Sequence, residues 1–375
     1  MNVNYSKQRI PLADPHGDSL DLRERILSAV TMVIDSGSYI LGKEVSSFEA
    51  EVAARLGVPG AVGVGCGTDA LVLALLALGI RPGDEVVTVS HTSGATVAAI
   101  QMIGAVPVFV DVRDDTYCMD PKAVDAAISP RTKAILPVHL YGHPADMVEI
   151  CASCRKRGVP VVEDCAQAQD ASIEGRPVGT FGLAGAFSFY PTKTLGALGD
   201  AGLVTSYDSD FTERARLLRT YGWTKPQYSE LRGGICTRLD ELQAAILRVK
   251  LSRLTQDIDS RRRIAARYNE ELSDLPLVLP VELSGYHHAY HLYVVRCDRR
   301  QDLVDHLKRD GIMTSIHYPY PAHVQPGLVD NARIAESMQR TESLVREILS
   351  LPIYPSLSSA SQARVIASVR GFFGR

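Results

Sequence analysis

Between about residues 60 and 206 the chain alternates short β-rich runs with helical stretches, and this alternation limits its fold more than any other feature of the sequence. The strand candidates are Ala61–Val64, Glu85–Val89, Val106–Val110, Ala134–Val138, Val159–Val162, Ala186–Phe189 and Gly202–Thr205. Between them, Asp69–Leu78, Gly94–Ile103 and Asp146–Arg157 repeat apolar residues at three- and four-residue spacing, the helical period. Parallel strands need a helix-length crossover. The pattern therefore predicts an α/β core built on a largely parallel sheet covered on both faces.

A chain of 375 residues exceeds what one hydrophobic core usually supports. After residue 237 its character changes. Leu239–Leu254 and Ile258–Leu272 read as long helices, Tyr290–Arg296 as a strand, and Gln301–Asp310 and Arg340–Leu349 as helices. The expected division is a large α/β domain over residues 1–250 and a smaller α+β domain over 251–375.

Composition mainly excludes. The formal charge of -3 supplies no field that would draw nucleic acid or an anionic membrane. The N-terminal Met1–Lys7 lacks the basic-then-apolar order of a secretory signal, and the longest apolar run, Ala70–Leu78, is too short to span a bilayer, so a cytoplasmic protein is expected. Seven scattered cysteines read as reduced thiols rather than a disulfide framework, and Cys151 and Cys154 read as helix packing. A zinc site built from His317, His323, His287, His288 and His291 is a competing reading. It lacks acidic or cysteine ligands at set spacing, and no metal is expected.

In sheets of this kind ligands bind beyond the carboxyl ends of the strands. That rule selects Gly65–Thr68, Ser90–Ser93, His139–Gly142, Glu163–Gln167 and Ser188–Lys193. The glycine turn ahead of Asp69 exposes backbone N–H groups at a helix start, with Thr68 or Asp69 suited to the N-cap, and can hold a phosphate without a lysine. It matches neither the dinucleotide fingerprint nor a Walker loop, and a plain strand-to-helix turn is the alternative. Glu163 and Asp164 place an acidic pair where a buried strand meets the crevice. One of them needs a cation such as the protonated ring nitrogen of pyridoxal phosphate (PLP), unless it is a cap or an ion-paired acid. Lys193 lies among aromatics, proline and glycine, where partial burial lowers its pKa and suits it to act as nucleophile and base; a surface-loop lysine is the alternative.

Taken together and in order, these segments resemble the DegT/DnrJ/EryC1/StrS family of sugar aminotransferases, over about residues 10 to 330. The resemblance rests on Ser36–Val45, Gly67–Leu71, Gly104–Asp111, Pro137–Gly142, Glu163–Ala168, Phe187–Lys193, Arg238–Ala245 and Ile316–Pro319. It implies the PLP-dependent fold type I of the aspartate aminotransferase superfamily, with a mixed, mostly parallel seven-stranded sheet. It also implies that Lys193 holds the cofactor as a Schiff base and shuttles the proton, and that Asp164 pairs with the ring nitrogen. Gln167 would contact the ring hydroxyl, Ala166 would lie under the ring, and Gly67, Thr68 and Ser188 would hold the phosphate. Lysine at 193, rather than histidine, separates the chain from the family's dehydratases. A homodimer with shared active sites follows from the fold.

Two positions depart from the family pattern. Ser93 stands where an aromatic usually stacks on the ring, which leaves neighbouring His91 as the substitute. Cys236 stands where an asparagine usually reaches the cofactor phosphate of the other subunit, and cysteine is a weak donor.

On the substrate side, Leu195–Gly202 resembles the enzymes that aminate C3 of dTDP-linked keto-sugars. The expected reaction moves an amino group from L-glutamate to a nucleotide-linked keto-deoxysugar in two half-reactions, through pyridoxamine phosphate (PMP). His91, Tyr190, Arg238, His317, Tyr318 and His323 are the expected substrate contacts; Ile316–His323 combines stiff proline turns with hydroxyl and imidazole donors suited to a sugar diphosphate. Amination of a cyclitol or another ring ketone, and a regulatory protein that kept the fold without turnover, are the alternatives. A nicotinamide dehydrogenase is disfavoured by the missing glycine fingerprint.

Overall fold

A computed structural model describes residues 9–375, so Met1–Lys7 lies outside the described residues. Each β-rich run forms a strand: β1 Gly60–Val64, β2 Glu85–Val89, β3 Val106–Val110, β4 Thr132–Leu136, β5 Val162–Asp164, β6 Ala184–Ser188 and β7 Gly202–Ser206. They pair in two ladders, β1-β7-β6-β5 and β4-β2-β3, the second extended at β3 by the short strand Arg333–Ile334. All contacts are parallel except those of β7, which runs antiparallel to both β1 and β6.

The two ladders meet at β4 and β5 through isolated parallel bridges, Ile135 to Val161 and Val138 to Asp164. Pro137 and Pro160 sit in this seam. Neither has an N–H to donate, which breaks the ladder into single bridges, although their carbonyls still accept from Asp164 and Ile135. For the same reason β4 and β5 are displaced by two or three residues from the apolar runs in the sequence.

β2, β6 and β7 are buried at every residue, as strands covered on both faces should be. The helix Gly67–Ala77 is buried nearly all round, from Ala70 through Leu75 and again at Ala77. Its start differs from expectation. The N-cap is Cys66, whose sulfur accepts from the Asp69 N–H at 3.4 Å, and not Thr68 or Asp69. Asp69 is instead held by Thr237, whose hydroxyl donates to Oδ2 at 2.6 Å while accepting from the Gly65 N–H at 3.0 Å. Thr68 is left in the first helical turn.

A separate apolar cluster involves the C-terminal elements: Tyr268 on the helix Leu254–Glu271, Tyr293 and Leu349 on the antiparallel strands Tyr293–Arg296 and Ile348–Leu351, Leu303 on the helix Arg300–Arg309 and Val365 on the helix Ser359–Phe372. The helix expected over 340–349 stops at Glu347. Ile348–Leu351 is buried at four consecutive residues, which one helical face cannot provide and a strand in a covered layer can. Cys151 and Cys154 are buried free thiols on the helix Met147–Arg157. Among the described residues no helix is long and apolar enough to cross a membrane.

Candidate active site

A cavity of about 370 Å³ opens beyond the carboxyl ends of β5 and β6, against the start of the Gly67–Ala77 helix. Gly67, Thr68, Ser93, Asp164, Ala166, Gln167, Ser188, Tyr190 and Lys193 all line it. Four of the five strand ends selected from the sequence thus contribute to one space.

Successive side chains on a strand point to opposite faces, and the pair at the end of β5 divides accordingly. Glu163 faces inward, where its Oε1 accepts from the N–H groups of Phe181 and Gly182, each at 2.7 Å. Its Oε2 accepts from the Gly179 N–H at 2.8 Å and meets His139 Nε2 at 3.0 Å. His139 Nδ1 accepts from the Ala145 N–H, so the ring hydrogen lies on Nε2 and is donated to Glu163. Glu163, His139 and Cys165 are close enough together to hold a metal ion, but the carboxylate and both ring nitrogens are already engaged. The acid is an internal anchor for the 179–182 turn.

Asp164 faces the cavity. Its Oδ2 accepts from the Thr96 hydroxyl at 2.9 Å and its Oδ1 from the Ala166 N–H at 3.1 Å. Burial pushes its pKa up from the ordinary value; these two donors and the Lys193 charge act against that. Lys193 has its pKa lowered to about 8 by burial of the ammonium, with the charge of Asp164 opposing. A buried acid and an amine whose pKa has come down to about 8 therefore share the cavity.

At the end of the cavity against the helix start, a Cβ on Gly67 would lie 2.5 Å from Ser188 Cβ and one on Gly202 would lie 2.3 Å from the Cys66 carbonyl oxygen, so only glycine permits this close approach. The hydroxyls of Thr68 and Ser188 lie beside backbone N–H groups of a helix start, a donor set suited to an anion. The cavity thus combines an anion cradle, a buried carboxylate for a cationic ring nitrogen and an amine of depressed pKa, and these residues fit PLP.

The Gln167 amide is oriented by its partners: Oε1 accepts from the Tyr141 N–H at 2.7 Å, and Nε2 donates to the Tyr318 hydroxyl at 2.9 Å. Burial raises the Tyr318 phenol, while hydrogen bonds from Ser93 and Gln167 oppose the rise. His317 is held through Nδ1 by Ser350 Oγ at 2.8 Å, and its imidazole is pulled down to about 4 by burial and the Lys193 charge. Tyr190 is 52% exposed at the cavity mouth.

Of the expected site residues, His91, Cys236, Arg238, His317, Tyr318 and His323 do not line the cavity. His91 is only 1% exposed, does not line the cavity, and places Nε2 2.7 Å from the Tyr141 hydroxyl. It packs among the rings of Tyr117 and Tyr141 and cannot replace the missing aromatic. Ser93 itself caps the helix Gly94–Met102, accepting from the Ala95 N–H. His323 has its Nδ1 2.6 Å from Ser90 Oγ and its Nε2 3.3 Å from Glu342. These bonds tie its turn to the end of β2. Cys236 is exposed and, like Arg238, does not line this cavity.

Sequence reading passed over Thr96, Tyr141 and Thr237. Thr96 stands in the first turn of the helix Gly94–Met102, and its hydroxyl oxygen lies 2.8 Å from that of Thr92, in the turn just before the helix. Tyr141 lies in the strand end His139–Gly142 that the sequence singled out, without a role of its own, and nothing local marked Thr237.

Known proteins have this architecture. A solved structure, that of Streptomyces venezuelae DesV in complex with a ketimine intermediate, is similar with a TM-score of 0.94 and 45% identity, covering 98% of this chain and 99% of that one. The structure of ntda from Bacillus subtilis with bound cofactor PMP is similar with a TM-score of 0.92 and 29% identity, covering 100% of this chain and 87% of that one. The dTDP-3-amino-3,4,6-trideoxy-alpha-D-glucose transaminase of Micromonospora megalomicea subsp. nigra is 49% identical over 356 residues, 93% of this chain and 95% of its own. The model of the DegT/DnrJ/EryC1/StrS aminotransferase family matches residues 20–370, and the chain belongs to that family.

Proposed function

We propose that the protein is a PLP-dependent aminotransferase that transfers an amino group from L-glutamate to C3 of a dTDP-linked keto-deoxysugar, as a cytoplasmic homodimer. The observation that carries this reading is the single cavity shared by Lys193, Asp164, Gln167, Ser188 and the Gly67–Thr68 turn. The similarity to the M. megalomicea transaminase and to DesV, each over nearly the full chain, supports the sugar-nucleotide substrate.

PLP, when bound, supplies a ring that withdraws electrons from the carbon being deprotonated. This chain's residues do the rest. Gly67, Thr68 and Ser188 hold the phosphate, Ala166 supports the ring, and Gln167 offers its amide to the ring hydroxyl. Asp164 keeps the proton on the ring nitrogen. Lys193, a neutral amine once its proton is lost near pH 8, removes the hydrogen from the α-carbon of glutamate and later returns one to C3 of the sugar. Tyr190, His317 and Tyr318 border the space where the sugar would lie. In the dimer, Arg238 would contact substrate and Cys236 would approach the cofactor phosphate of the other subunit. The chain would divide near residue 250 into a cofactor-binding domain and a smaller C-terminal one; the cluster around Tyr268 and Tyr293 supports this, with Ile10 from the N-terminal side packed into it.

The test is the absorption spectrum of the purified protein before and after L-glutamate, with Lys193→Ala as control. The expected result is loss of the PLP band in the wild type only, restored by a dTDP-3-keto-sugar and not by an inosose. A spectrum unchanged by glutamate would instead favour a regulatory protein without turnover.

A further inference from the structure

We infer that Tyr141 is a positioning residue for sugar-nucleotide binding, its backbone N–H and its hydroxyl closing a ring of hydrogen bonds that ties Gln167 to the loop bearing Tyr318. The inference rests on the proposed function, in which that loop borders the sugar.

The ring can be followed atom by atom. The Tyr141 N–H donates to Gln167 Oε1 at 2.7 Å, and Gln167 Nε2 donates to the Tyr318 hydroxyl at 2.9 Å. Tyr318 is bonded through its peptide to His317, whose carbonyl oxygen accepts the hydroxyl hydrogen of Tyr141. One side chain in the cavity wall and one loop from the C-terminal part of the chain are thus oriented by a single buried residue. Tyr141 holds a left-handed backbone conformation, φ 61°, which a bulky residue rarely adopts. Its surroundings enforce it: its carbonyl accepts from the Leu292 N–H, and a Cβ on the following Gly142 would lie 2.9 Å from the backbone nitrogens of Tyr290 and His291.

His91 sets the direction of the ring. Tyr141 has one hydroxyl hydrogen and gives it to His317, so the hydrogen in the 2.7 Å contact with His91 must come from Nε2. His91 Nδ1 is buried with no hydrogen-bond partner among the described residues, consistent with a bare lone pair there. Burial also pulls the imidazole down to about 4, which keeps it neutral. Reversing the His91 tautomer would either place two lone pairs face to face or, if the phenol turned its hydrogen to Nε2, release the His317 carbonyl.

Tyr141→Phe removes the hydroxyl and keeps the N–H to Gln167, and so separates the two arms. In the holoenzyme the expected result is affinity for dTDP-glucose, measured by calorimetry, lowered about tenfold, with the rate of the glutamate half-reaction changed less than about twofold. Nitrogen NMR of [15N]histidine-labelled wild type, assigned with His91→Phe, should show a neutral His91 with its hydrogen on Nε2. A hydrogen on Nδ1 overturns the inference, as does a Tyr141→Phe protein in which sugar binding and the glutamate step fall together or neither changes. Should Tyr141→Phe not fold, His91→Phe is expected to show the same selective loss in smaller degree, and equal effects on both steps would count against it. A wild type that fails to react with glutamate would sink the proposed function instead.

Discussion

Thr96 and Asp164 lie 68 residues apart, yet the threonine hydroxyl donates to Asp164 Oδ2 at 2.9 Å in the buried wall of the cavity. Burial raises the pKa of this carboxyl, and the Thr96 hydrogen bond is one of the interactions that oppose the rise. Thr96→Val should therefore raise it further, shifting the acid limb of the pH–rate profile upward and lowering kcat about tenfold at neutral pH. Stopped-flow measurement of the glutamate half-reaction across pH checks both; an unmoved acid limb would refute the link.

Asp164 also costs stability in the cofactor-free protein. With its folded pKa above the unfolded value, the folded state binds more protons in the window between them, and stability falls as pH rises through it. Asp164→Asn should thus raise the Tm of the apoprotein at pH 7 while abolishing turnover. Calorimetric scans at pH 4 and pH 7 are the measurement, with the stabilisation expected only at the higher pH.

Lys193 carries the opposite sign. Its folded pKa, about 8 against 10.5, means that the folded protein binds fewer protons between these values and gains stability as pH rises through them. The same shift governs reactivity: recapture of PLP by apoprotein should follow an apparent pKa near 8. An apparent pKa of an ordinary exposed lysine would show that the amine is not buried in the cleft.

Glu163, next to Asp164, should behave as a structural acid. Glu163→Ala strands the buried Gly179 N–H, the partly buried N–H groups of Phe181 and Gly182 and the His139 ring, a loss of about 3 kcal/mol. Chemical denaturation measures this, and a chelator should leave the midpoint unchanged. A chelator-sensitive midpoint would reveal a metal among Glu163, His139 and Cys165.

Glu241 caps a helix other than its own. Its carboxylate accepts from the N–H groups of Gly42, Glu44 and Val45 at 2.8 to 2.9 Å, serving the start of the helix Lys43–Leu56, whose own N-cap is a glycine. Glu241→Ala should destabilise the fold by about 2 kcal/mol with little change in the KM for glutamate. Thermal unfolding and steady-state kinetics together test the separation.

The alternating apolar periods were enough to predict the α/β layers, because strand and helix period are local properties of the chain. So were the strand ends that carry chemistry: Gly67 and Thr68 at a turn, Asp164 after a buried strand, Lys193 among aromatics. Where the local pattern was ambiguous, at Thr68 against Cys66 or at residues 348 to 351, the prediction moved by a few residues or changed type.

The sequence by itself settled which residue types reach the carboxyl edge of the sheet. Only the tertiary structure decided which atoms meet there: that Glu163 turns inward while Asp164 faces the cavity, that His91 gives Nε2 to Tyr141 while His323 engages Ser90 and Glu342, and that Thr96 supports Asp164. The reason is physical. Hydrogen-bond partners separated by 16 to 233 residues are selected by strand order, pleat and loop path, and no local period encodes those.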